Sequence, residues 1–205
     1  MLHNVSVIGM GACGNKIGEE AAKRKFNSVA VNSTEIDTES LENTQNVIYI
    51  GKEGCGKVRS NGQKLVKKEA SKFIPQVAEF IGESDVICPI AALGGGTGSG
   101  ALPITTDLLR SDLKQNGKKG IKYIPIGVLP CLSDDVRSLA NALSACKELN
   151  SINVPYILVD NDKVEGSPLQ RYQKINDSIV TDLQVIRGDF NANTVLHYIL
   201  FKQFF

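Results

Sequence analysis

Leu93-Gly94-Gly95-Gly96-Thr97-Gly98-Ser99-Gly100 is the stretch whose reading decides the fold of this chain. Five of the chain's 19 glycines fall in seven residues here, with Thr97 and Ser99 set between them. An apolar run over residues 85–93 stands in front. Behind, Ala101-Leu102-Pro103-Ile104-Thr105-Thr106-Asp107-Leu108-Leu109 reads as a helix. The order is strand, glycine loop, helix. Such a loop turns backbone N–H groups inward around phosphate oxygens, and the helix N-terminus adds partial positive charge. A flexible turn needs neither hydroxyls between its glycines nor buried-type flanks on both sides.

A second loop of this kind opens the chain. The strand Asn4–Ile8 runs into Gly9-Met10-Gly11-Ala12-Cys13-Gly14-Asn15, with a helix expected from Lys16 to about Lys25. Gly9, Gly11 and Gly14 satisfy G-x-G-x-x-G in a strand–turn–helix setting, so an NAD-dependent oxidoreductase is a rival reading. A dinucleotide fold places an acid after the next strand to hold the ribose hydroxyls. Here Ser28–Asn32 ends in Asn32, Ser33 and Thr34, and Glu35 comes one turn late. A third strand, Val47–Ile50, leads into Gly51-Lys52-Glu53-Gly54-Cys55-Gly56-Lys57-Val58. This nearly spells a P-loop, but Val58 replaces the hydroxyl that would hold magnesium. Gly54 and Gly56 suit a supporting loop near a terminal phosphate; a plain connection fits their composition equally.

The remaining pattern alternates. A lysine-rich helix is expected from about Ser60 to Ile81, kinked or divided at Pro75. The strand at 85–92 and the glycine stretch follow, and the next helix ends near Asn116-Gly117. A strand spans Gly120–Leu129, and a helix runs to about Asn150 with Ser133 or Asp134 as its N-cap. A strand at Val154–Val159 ends in Asp160-Asn161-Asp162, and a helix covers Leu169 to about Arg187. Such alternation predicts an α/β fold, a mostly parallel sheet covered by helices on both faces, with functional loops at the carboxyl ends of its strands. Six polar or glycine-rich loops then share one sheet edge, which describes a nucleotide pocket. After the loop Gly188–Asn193 comes an apolar, aromatic-ended segment, Thr194–Phe205, that would make poor surface for a monomer. It points to a further domain or a partner; His197 within it reads as a core or interface histidine.

Composition bounds the function. The chain has 205 residues, 42% hydrophobic and 22% charged, with a net charge of +1. That balance excludes strong electrostatic recruitment of nucleic acid or anionic membrane. The cysteines at 13, 55, 88, 131 and 146 form no CxxC pair, so neither a zinc site nor a disulfide framework is expected, and no residue is assigned as a metal ligand. No run reaches membrane-spanning length and no signal peptide is read, so the cytoplasm is the expected compartment.

Gly94–Gly100 resembles the tubulin/FtsZ signature, Gly-Gly-Gly-Thr-Gly-Ser/Thr-Gly, and matches it in full. Gly11-Ala12-Cys13-Gly14-Asn15-Lys16-Ile17-Gly18 is similar to the GQCGNQIG of tubulin, with two substitutions. The order of the other loops agrees along essentially the whole chain, and the Gly54–Lys57 loop looks closest to plasmid and bacteriophage TubZ-like proteins. The resemblance implies a Rossmann-like GTP-binding domain over 1–168. A central helix, its following loop and the start of a truncated C-terminal region then occupy 169–205. It implies GTP or GDP with Mg2+, head-to-tail filaments, hydrolysis at the subunit contact, and a role in plasmid or phage DNA positioning through a DNA-binding adaptor. Gly11, Ala12, Cys13 and Asn15 fall on the family's first loop, and Gly95, Gly96, Thr97, Gly98 and Ser99 on its main phosphate loop. Asp134 falls on the ribose contact, with Arg137 one position from a family arginine. Asn161 falls on the asparagine that reads guanine, while Tyr172 and Asn176 match a base-stacking aromatic and the amide four residues on. The family's second loop carries an acid near the metal, where this chain has Thr34. Its catalytic acids lie in the loop after the central helix, where Asp189 stands with Asn191 and Asn193. A guanine-nucleotide-binding regulator that does not polymerise is the non-enzyme alternative.

Overall fold

The computed structural model describes residues 2–44 and 46–190. Asn191, Asn193, His197 and the apolar end therefore lie outside the described residues. The strands β1 (Val5–Met10), β2 (Asn27–Asn32), β3 (Asn46–Tyr49), β4 (Val86–Ala92), β5 (Lys122–Tyr123), β6 (Ile126–Leu129) and β7 (Ile157–Asp160) form one sheet. Its order is β3-β2-β1-β4-β6-β7, with β5 paired to β4, and every pairing is parallel. The helices are α1 (Gly11–Lys23), α2 (Arg59–Ile81), α3 (Thr97–Gln115), α4 (Val136–Ser151) and α5 (Pro168–Arg187).

Strand alternation divides the core between two faces. Val5 and Val7 of β1 join Ile17 and Ala21 of α1 and Ile175, Ile179 and Leu183 of α5. Ile8 and Met10, one residue out of step, join Val66 and Phe73 of α2, Leu102 and Leu109 of α3, and Ala145 of α4. The expected α/β architecture is thus present, and α5 shares a core with the sheet.

Four local expectations change. Helices α1 and α3 begin at Gly11 and Thr97, inside the stretches read as loops. Low intrinsic helix propensity is overridden by close packing. A Cβ on Gly14 would lie 2.2 Å from the Ile90 carbonyl oxygen, and one on Gly98 would lie 2.8 Å from that of Ala92. Only glycine lets these first turns lie against β4. Pro75 does not divide α2, which runs unbroken from Arg59 to Ile81. The strand expected over 120–129 is split into β5 and β6. The Ile87 carbonyl accepts from Ile124 N–H at 3.0 Å on that side of β4, and Pro89, two residues on, has no N–H to offer there. The N-cap of α4 is Asp135, whose carboxylate accepts from Ser138 N–H at 2.9 Å. Asp134 instead turns back to accept from Cys131 N–H at 3.1 Å.

Candidate nucleotide cleft

The strand order reverses direction between β1 and β4, because the chain builds outward to β2 and β3 before crossing to β4. Crevices at such switch points, beyond the carboxyl ends of the strands, are the ligand sites of open parallel sheets. Here the two strands deliver the N-termini of α1 and α3, helices of 13 and 19 residues, to the same place. Their unpaired N–H groups and dipoles favour an anion between them. The approach is close: Gly11 has φ +70°, and a Cβ there would sit 3.1 Å from the Gly98 nitrogen.

Two cavities join at this point. The smaller, about 340 Å³, is walled largely by backbone from 10–13, 54–57 and 95–98. The larger, about 570 Å³, extends between α1 and α5 and is lined by Asp134, Asn161, Tyr172 and Asn176, among others. Ala12, Cys13, Lys57, Ala92 and Gly95 line both, so they form one continuous cleft. One end offers backbone N–H groups, the other an aromatic face with amides that both donate and accept.

The walls are held by buried polar contacts. Asn141, nearly buried, donates its side-chain amide to the carbonyls of Lys57 at 2.9 Å and Gly94 at 3.0 Å, tying two loops together. The hydroxyls of Ser33 and Thr97 lie 2.7 Å apart, and the Ser99 hydroxyl donates to the Gly95 carbonyl. Arg59 anchors the start of α2 on Glu148 through contacts of 2.6 and 3.0 Å. Glu19, 6% exposed on α1, accepts N–H groups of Glu42, Asn43 and Thr44 and the Asn43 amide at 2.6–3.1 Å. This fixes the loop whose Ser40 and Leu41 line the larger cavity. Burial opposes the charge on Glu19, but those hydrogen bonds prevail and lower its pKa to about 2. Desolvation pushes the Cys13 thiol up to about 11, leaving it neutral beside the helix N-termini. Lys57, with Ser138, holds the Asp135 carboxyl well below the usual carboxylate range.

Of the residues singled out in the sequence, Ala12, Cys13, Gly95, Asp134, Asn161, Tyr172 and Asn176 line the larger cavity. Gly11, Gly96, Thr97 and Gly98 line the smaller one. Ser99 is buried under Gly95 rather than facing the cleft, and Arg137 is exposed and lines neither cavity. Asn15 is fully buried, and neither end of its amide has a hydrogen-bond partner among the described residues; the same holds for Asn161 Oδ1. Asn15 lines neither cavity, whereas Asn161 lines the larger one, and an orphaned amide oxygen there fits a hydrogen-bonding ligand such as a nucleotide. Asp189 stands apart. It is paired with Arg187 at 2.5 and 2.7 Å, and Arg187 caps the carbonyls of Arg24 and Lys25 while lying 3.8 Å over the Phe26 ring. The Arg187 carbonyl accepts from His3 N–H, just ahead of β1. Asp189 is therefore at the amino-end edge of the sheet, opposite the cleft.

The structure also brings in residues that the sequence reading passed over. Asp37, in a short 3-10 turn at Ile36–Thr38, lines the smaller cavity, whereas Thr34 does not. The acid comes three residues after Thr34. Lys57 was visible as the G-K of the near-P-loop. Glu19 and Asn141 carried no local signal. Among the described residues no helix is long and apolar enough to cross a membrane, and no group of three or more His, Cys, Asp or Glu could hold a metal.

The tubulin/FtsZ family, GTPase domain, matches residues 4–167. The tubulin-like protein CetZ of Pyrococcus horikoshii is 28% identical over 186 residues, covering 85% of this chain and 50% of the relative. The tubulin-like protein TubZ of Clostridium botulinum C phage is 27% identical over 162 residues, 76% of this chain and 41% of the relative. CetZ2 from Haloferax volcanii, solved as a GTPγS-bound protofilament, superposes with a TM-score of 0.78 at 21% identity, covering 95% of this chain and 62% of that one. At that identity the likeness shows the shared fold alone. The chain spans about half the length of the curated relatives it matches.

Proposed function

This chain belongs to the tubulin/FtsZ GTPase family, and from that premise we propose that its cleft binds a guanine nucleotide and that the protein assembles head to tail, hydrolysing GTP at the contact between copies. The observation that carries the reading is the continuous cleft at the β1/β4 switch point. Two helix N-termini meet at its phosphate end, and Tyr172, Asn161 and Asn176 stand at its nucleoside end. Tyr172 stacks on the base, Asn161 and Asn176 pair with the guanine edge, and Asp134 takes the ribose hydroxyls. Where magnesium accompanies the nucleotide, Asp37 is the carboxylate at the phosphate end that would hold it, and the metal would supply charge neutralisation for the phosphates. The dinucleotide reading of Gly9, Gly11 and Gly14 gives way to family membership. Its ribose-binding acid is also missing, since β2 ends in buried Asn32 and Ser33.

Head-to-tail assembly gives Asp189 a role that it lacks within one chain. Cleft and Asp189 lie at opposite sheet edges, so a translated copy brings Asp189 to the next copy's terminal phosphate. Arg187 holds the Asp189 carboxyl below its usual range, so Asp189 orients and polarises the attacking water and accepts a proton poorly. The division at residue 168, a cytoplasmic filament, and a narrower task in plasmid or phage DNA positioning with an adaptor belong to the same proposal. Likeness to TubZ supports the DNA task; likeness to CetZ argues for a broader cytoskeletal role.

The test is displacement of a fluorescent GTP analogue by GTP, ATP and NADH in turn, followed by light scattering and phosphate release with GTP and Mg2+. Displacement by GTP alone, then scattering, together with phosphate release that Asp189→Asn abolishes while scattering persists, is the expected result. Displacement by NADH and not GTP refutes the guanine site. Binding with neither scattering nor phosphate release favours the regulator, a reading that the Arg187–Asp189 pair itself motivates.

A further inference from the structure

The near-P-loop Gly51–Val58 has no place in the function above, and its lysine is where the structure says most. Lys57 lines both cavities, at the joint between them. Among the residues lining the smaller cavity it is the one basic side chain, and Asp37 is the one acid. A cradle built almost entirely of backbone thus has a single lysine among its lining side chains. The backbone that carries it is fixed: Lys57 sits at φ +58°, and its carbonyl accepts from buried Asn141 at 2.9 Å. The ammonium is not committed to the cradle. It donates to Asp135 Oδ2 at 2.8 Å, and the two side chains are 60% and 49% exposed. An ion pair that open to water holds its members weakly. Asp135 also keeps the Ser138 N–H at 2.9 Å and hydroxyl at 3.1 Å, so Lys57 can leave without orphaning the carboxylate.

We propose that Lys57 is a terminal-phosphate ligand held in reserve by Asp135: it moves onto the last phosphate of a nucleoside triphosphate and rests on Asp135 when a diphosphate is bound. The inference rests on the nucleotide reading and deepens it. The lysine distinguishes the two nucleotides because one position at its reach carries charge in one and not in the other. It is not the lysine of a true P-loop, since Val58 supplies no hydroxyl for a metal. It is a side-chain cation where the helix N-termini offer backbone N–H groups, so its contact adds to theirs.

The experiment is competitive titration of GTPγS and GDP against a fluorescent guanine nucleotide, for the unmodified chain, Lys57→Met and Asp135→Asn, below the concentration at which scattering rises. Lys57→Met keeps the backbone demands of the position, and Asp135→Asn retains a good helix N-cap while removing the competing charge. Lys57→Met is expected to weaken GTPγS roughly 10- to 100-fold, the range of a lost charge-assisted contact, while GDP changes by less than about twofold. Asp135→Asn is expected to shift the ratio the other way, favouring GTPγS over GDP by about threefold or more. If Lys57→Met weakens both nucleotides equally, or neither, or if Asp135→Asn leaves the ratio unchanged, the inference is overturned and the nucleotide reading stands. If the unmodified chain binds neither nucleotide, both fall together.

Discussion

Glu19→Gln isolates a contact that neither sequence spacing nor family likeness brings forward. The Glu19 carboxylate collects four N–H donors from residues 42–44, three of them backbone. An amide in its place accepts through one oxygen and turns an NH2 toward donors that have no other acceptor. The size of the loss follows from the carboxyl's titration. A fall from the ordinary 4.5 to about 2 on folding is worth about 3 kcal/mol at roughly 1.4 kcal/mol per pH unit, nearer 2 where the loop is screened by solvent. Because the folded-state pKa is depressed, that stability is fully present above about 4.5 and is lost as pH falls toward 2. Urea unfolding of both proteins at pH 6, 5, 4 and 3.5 reads it directly, since every other carboxylate cancels in the difference. The variant should be less stable by about 2–3 kcal/mol at pH 6, and the gap should narrow by roughly 1 kcal/mol at pH 3.5. Because Ser40 and Leu41 line the larger cavity, nucleotide release should also quicken. A gap below about 0.5 kcal/mol, the size of an ordinary surface substitution, or one that does not change with pH, would refute the reasoning.

Two further outcomes separate packing from binding. Gly62→Ala should destabilise the chain by about 1–3 kcal/mol in thermal or urea unfolding. The added Cβ would lie 2.4 Å from the Gly96 carbonyl oxygen, backbone against backbone, and α2 must back away from the phosphate loop. Tyr172→Ala should do the reverse. At 58% exposure its loss should leave the melting temperature unchanged, while guanine nucleotide affinity falls roughly 5- to 100-fold for a lost base-stacking face. Unchanged affinity in a fluorescence titration would remove Tyr172 from the site.

The sequence by itself determined the class of the fold and singled out many of the residues that line the cleft. Alternating apolar strands and amphipathic helices are local, and they leave few arrangements other than a covered parallel sheet. The glycine runs at 9–14 and 94–100 are local as well, and their strand–turn–helix setting puts them at the carboxyl ends of strands. Tertiary structure alone decided the rest, because it depends on contacts that no short window contains. Gly14 and Gly98 are helical, against propensity, since they must clear the carbonyls of Ile90 and Ala92. Lys57 and Asp135, 78 residues apart, meet only once α2 and α4 flank the same sheet edge. Asn141 ties Lys57 to Gly94 across separations of 84 and 47 residues, and Glu19 reaches a loop more than 20 residues on. Asp189, which sequence order places after the central helix, is carried by the length of α5 to the edge opposite the cleft. A periodicity reports which face of an element is buried; only the packed sheet decides which faces, and which ends, come together.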